Sequence, residues 1–91
     1  MFYLVSYDIP DDKRRTKLSK TLKDFGDRVH LSVFECIMTD DLLHDMKNRI
    51  NSIINQKEDS VRIYTLCANC EKIVAIIGSG ELTQDKDVYI I

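Results

Sequence analysis

The stretch FYLVSYDIPDDKRRTKLSKTLKDFG, residues 2–26, changes its period halfway along. Up to Asp8 the period is two. Phe2, Leu4, Ser6 and Asp8 alternate with Tyr3, Val5, Tyr7 and Ile9, and the second set is apolar throughout. Aromatic and β-branched residues in this alternation predict a strand whose second set faces a core. Asp8 then emerges on the other face, near the strand's C-terminal end. Pro10 has no N–H for a ladder and stops the strand. Asp11 and Asp12 cap and charge the start of a helix. Leu18, Leu22 and Phe25 share one helical face, and Lys20 and Lys23 fall where the helix dipole favours cations. Gly26 is a C-terminal stop, so the helix spans about residues 11–25. Asp8 has two readings here. It is a metal ligand facing a phosphate beside Lys13, Arg14 and Arg15, or a turn residue before a helix cap.

Working outward, RVHLSVFECIM, residues 28–38, is extended. It is long for one strand, which predicts a bulge or tight break that the pattern does not locate. Thr39 is an N-cap, with Asp40 and Asp41 in the first turn of a helix over about 39–54 whose apolar residues repeat at 3.6. SVRIYTLC and KIVAIIG read as two strands joined by the short ANCE, and VYII as a final strand. The order is β-α-β(β)-α-β-β. Two helices over one face of a mainly antiparallel sheet make this an α+β, ferredoxin-like fold.

Ninety-one residues suit a single domain, residues 1–91. A domain of this size buries only roughly 60–65% of its unfolded surface, so a partner chain is a natural supplement to its core. The C-terminal strands, about 72–91, are candidates to pair with a partner protomer by strand addition. No run approaches the ~18 apolar residues of a membrane helix, and the start lacks the basic and small-residue features of a secretory signal. Cytoplasmic placement is the expectation, and three cysteines argue against a disulfide framework. Cys67 and Cys70 form one C-x-x-C without a second pair; zinc would need a dimer to complete four ligands. The pair reads as inert.

The net charge is −2. Its distribution is uneven. Residues 11–30 carry seven Lys/Arg against four acids, and residues 31–91 carry six against ten. The basic excess adjoins Asp8, which suits a phosphate-bearing partner better than the total charge suggests.

Three blocks, YDIPDDKRR at 7–15, GDRVHLSVFE at 26–35 and EDSVRIYTL at 58–66, in this order and spacing resemble the small CRISPR-associated adaptation protein, the Cas-two family. The resemblance covers about the whole chain. It implies a ferredoxin-like fold, a homodimer, and a magnesium-dependent endonuclease for which manganese substitutes. It also implies a role as the central dimer of the spacer-acquisition complex, bound to the Cas-one integrase. The implied substrate is single-stranded RNA, with duplex DNA for some members.

Residue by residue, Asp8 matches the family's acid at the first strand's end and is the implied catalytic residue and metal ligand. Arg14, Arg15 and Arg28 match basic positions that would hold nucleic acid, for which arginine forks suit phosphate oxygens. Tyr7, Ser32 and Phe34 also match family positions, where a hydroxyl orients a phosphate or a ring stacks a base. His30 departs from the family pattern, in which glutamine is common, and is left out of the catalytic set. The alternatives are a non-catalytic DNA-binding scaffold for the integrase, a virulence-associated D-type ribonuclease toxin, or a metabolite-binding regulatory domain. The last lacks a glycine-rich ligand loop at its strand–helix turns.

Overall fold

The structure is a computed structural model and describes residues 1–71 and 75–78. Seven elements run in order: β1 (Phe2–Asp8), α1 (Asp12–Leu22), β2 (Asp27–His30), β3 (Val33–Ile37), α2 (Asp40–Ile53), β4 (Ser60–Leu66) and the single turn α3 (Ala68–Glu71). The sheet order is β2-β3-β1-β4, all neighbours antiparallel. This is the α+β, ferredoxin-like arrangement.

β1 lies at the centre because its alternation has a buried side to offer. Tyr3, Val5, Tyr7 and Ile9 pack with Phe34, Cys36 and Met38 against Leu18, Leu22, Met46 and Ile50. These are the inward stripes of α1 and α2, so both helices cover this face. Phe2 is also buried, outside that cluster. Asp8 is exposed at the end of β1, opposite Ser60 of β4.

The helix starts follow the expected chemistry. The Asp11 carboxylate accepts from the Arg14 N–H at 2.9 Å, and the Thr39 hydroxyl accepts from the Leu42 N–H at 3.3 Å. Both satisfy donors that a helix leaves unpaired. The end of α1 differs from expectation. The helix closes at Leu22, and tight turns follow in which Phe25 and Gly26 both donate to the Leu22 carbonyl. Gly26 is needed for another reason than stopping a helix. A Cβ there would collide with the Glu35 carbonyl oxygen and lie 2.8 Å from the Cα of Cys36. Only glycine lets this segment pass so close to β3.

The long extended run divides at Leu31 and Ser32, with a register shift between Arg28 and His30. The connection ANCE is a helical turn rather than a strand link. Residues 75–78, part of the run read as a strand, form no strand, and Ile77 is almost fully exposed. A strand exists through its ladder, and these residues have none among those described. The remainder of that run and the terminal VYII lie outside the described residues. No helix among the described residues is long and apolar enough to cross a membrane.

Candidate nucleic-acid site

The end of β1, the C-terminal two-thirds of α1 and the β2–β3 turn enclose a cleft of about 540 Å³. Its walls come from two directions. α1 and its C-cap contribute Arg15, Thr16, Ser19, Lys20 and Lys23, which share one side of the helix at intervals of one, three and four residues. The strands contribute Tyr7, Asp8, Ile9, Arg28, Leu31 and Ser32. Four cations, Arg15, Lys20, Lys23 and Arg28, therefore line the same cleft as one carboxylate, Asp8. Asp8, Lys20 and Lys23 form no ion pair among the described residues.

Backbone hydrogen bonds hold the β2–β3 turn in place. The Tyr7 N–H donates to the Ser32 carbonyl at 3.1 Å, and the Tyr7 hydroxyl donates to the Leu31 carbonyl at 3.3 Å. Arg28 reaches back along the turn, donating through Nη2 to the same Leu31 carbonyl at 2.8 Å and through Nε to the His30 carbonyl at 3.3 Å. Across the cleft, Arg15 donates through Nη1 to the Ile9 carbonyl at 2.9 Å and pairs with Asp12. Each guanidinium has five N–H donors. Both are anchored on the backbone with donors left over.

Of the residues singled out from the sequence, Asp8, Arg15, Arg28, Tyr7 and Ser32 converge on this cleft. Two do not. Phe34 is fully buried, its ring stacked near that of Tyr7 at 6.4 Å between centroids. It has no face open to a base, so its role is core packing. Arg14 points away from the cleft into an acidic clamp. Its Nε and Nη2 donate to the two Asp59 oxygens at 2.8 and 3.1 Å, and Nη2 also donates to Glu58 at 2.9 Å. The Asp59 side chain is fully covered and also accepts the Asn55 N–H at 2.8 Å. The Arg14 hydrogen bonds hold the Asp59 carboxyl below its ordinary pKa, and Asp59 in turn raises that of Arg14. Arg14 is thereby spent on joining α1 to the α2–β4 connection.

The helix dipole is reason enough for Lys20 and Lys23 in the sequence, and the structure adds that they also line the cleft. Their i, i+4 relation to Thr16 and Ser19 was the available signal. His30 lies on β2 and does not line the cleft.

Among the described residues no group of three His, Cys, Asp or Glu side chains forms a ready metal cage. Asp8 is the carboxylate that lines the cleft. Magnesium keeps several waters and commonly takes only one or two carboxylates, so a single exposed Asp is chemically compatible with a partly hydrated ion. Cys67 is exposed, on the connection leading to α3.

The sequence profile of the family described as CRISPR associated protein Cas2 matches residues 1–74. The CRISPR-associated endoribonuclease Cas2 1 of Chloroflexus aurantiacus is 44% identical, with all of both chains covered. The crystal structure of Streptococcus pyogenes Cas2 superposes with a TM-score of 0.76 at 38% identity, covering 86% of this chain and all of that one. A chain of a partial Cas6-RT-Cas1–Cas2 complex superposes with a TM-score of 0.73 at 36% identity, covering 84% of this chain and 89% of that one.

Proposed function

Since the chain belongs to the CRISPR-associated Cas2 family, we propose that it is an endonuclease that grips the phosphodiester backbone in the α1–turn cleft and cleaves it at Asp8. The observation that carries this reading is that one carboxylate without an ion pair and four cations line a single cleft. Arg15, Lys20, Lys23 and Arg28 bind phosphate oxygens, the two arginines from anchored positions. Tyr7 fixes the turn that presents Arg28. Asp8 holds a divalent ion, magnesium or manganese, and a twofold homodimer supplies a second Asp8 across its axis. Held there by Asp8, such an ion would supply Lewis-acid polarisation of a phosphoryl oxygen and a water of lowered pKa. The relatives' endoribonuclease names support RNA as the substrate class, with DNA as its competitor. The protein acts in the cytoplasm.

The test is cleavage of single-stranded RNA and duplex DNA by the purified protein, with magnesium, manganese or chelator, beside Asp8→Asn. Metal-dependent cleavage that is lost in the variant supports the reading. Equal cleavage by both proteins rejects it. One observation favours a second reading, a non-catalytic holder of DNA: the fold likeness to a chain from a complex named with Cas1. That reading expects Asp8→Asn to leave spacer acquisition intact and Cas1 to co-purify with the protein.

A further inference from the structure

Leu31 stands out in the cleft. It sits at a turn, where polar residues and glycine usually serve, and it is 75% exposed. Its backbone is among the best-fixed points of the site, because its carbonyl accepts from both Tyr7 and Arg28 and its neighbour Ser32 accepts from the Tyr7 N–H. The apolar side chain is therefore presented on a rigid mount. It lines the cleft across from the cations of α1, Arg15, Lys20 and Lys23. The cleft thus has a wall of α1 cations and, on the turn side beside Arg28, an exposed apolar tip. Its volume, about 540 Å³, lies within the ~300–1,000 Å³ typical of small-ligand sites.

A ligand matching both walls carries a negative charge on one side and a flat, weakly polar surface on the other. A nucleotide with an unpaired base has this form. With its phosphate against α1, its base lies toward the turn. We infer that Leu31 is a base-contacting residue that sets the preference of the cleft for unpaired nucleotides. The inference rests on the proposed nucleic-acid reading and deepens it. A base stacked inside a duplex hides its faces, so the contact requires a single strand, an end or an extruded base. Tyr7 acts here as a positioning residue, through the Leu31 carbonyl, and Arg28 shares that anchoring while its remaining donors stay available to phosphate.

The experiment uses the full-length protein in chelator, so that binding is measured without cleavage. The probes are a short single-stranded RNA and the same sugar–phosphate backbone made of abasic residues. Leu31→Ala is expected to weaken binding of the ordinary RNA by about fivefold and of the abasic strand by less than about twofold, at the low end of the roughly 5- to 150-fold that aromatic stacking gives per base, because the leucine tip is aliphatic. Leu31→Phe offers a larger platform and is expected to tighten the ordinary RNA alone, a gain that misfolding cannot mimic. Equal loss on both probes would overturn the inference and make Leu31 a shaper of the turn. No change on either probe overturns it too, while leaving the binding reading intact. Failure of the wild-type protein to bind either probe would overturn both.

Discussion

At the scale of the residue, burial separates side chains that look alike in the sequence. Tyr7 and Phe34 are both aromatic, on paired strands, and both match positions of the family. Only Tyr7 keeps a polar end, which reaches the Leu31 carbonyl. Phe34→Ala should therefore cost about 3–5 kcal/mol of stability, as fully buried aromatics do, read from urea unfolding. Tyr7→Phe should cost only about 0.5–1.5 kcal/mol, the worth of one hydrogen bond, while weakening RNA binding through a looser turn. Arg14 and Arg15 are neighbours with the same chemistry, yet Arg14 belongs to Asp59 and Glu58. Asp59 titrates in the folded state below its ordinary value of 3.8. A depressed carboxylate stabilises the fold above the unfolded pKa and loses that contribution as pH falls through the folded one. Asp59→Asn should melt below wild type at pH 7. The two melting curves should converge as pH is lowered beneath 3.8, and a gap that persists in acid would refute the assignment. Sequence could not tell the two arginines apart, because Asp59 lies 45 positions from Arg14.

At the scale of the element, the readable features were those with a period. The two-residue alternation of β1 and the 3.6-residue stripe of α2 each predicted a buried face, and those faces meet in the core. The breaks were harder. The Leu31–Ser32 turn contains no glycine, proline or asparagine, because its geometry is held by Tyr7 and Arg28 rather than by local backbone preference. The cleft was half legible for a related reason. Helical spacing placed Lys20 and Lys23 near Thr16 and Ser19, but only the packing of α1 on the sheet turns that side toward Asp8. Gly26 looks like a helix stop in the sequence, whereas the crowding that demands glycine there comes from β3. This distinction has a consequence. If Gly26 only ended the helix, alanine would be mildly unfavourable. Because a Cβ there meets β3 backbone, Gly26→Ala should cost about 1–3 kcal/mol, typical of overpacking. The check is a urea midpoint shift with unchanged slope.

At the scale of the whole molecule, the net charge of −2 conceals a separation of sign. Arg15, Lys20, Lys23 and Arg28 are gathered in one cleft, while Glu58 and Asp59 on the far side of α1 consume Arg14. The proposed binding of an anion is thus local and compatible with the total charge, and ionic strength would measure how many cations take part. Each phosphate neutralised on a single strand adds about −0.7 to the slope of log K against log salt. Four engaged cations give roughly −3 per cleft. Lys23→Ala should bring that slope up by about 0.7 and weaken binding alike for ordinary and abasic strands, since the proposed role of Lys23 is to meet phosphate and not base. Arg14→Ala, checked for folding by circular dichroism, should leave the slope where it was, because its charge is already matched by two carboxylates. A slope that rises toward zero equally in both variants would mean that binding responds to overall charge. The cleft would then have no special claim on the nucleic acid. A slope that changes only with Lys23 ties the phosphate backbone to the wall of α1 that faces Asp8.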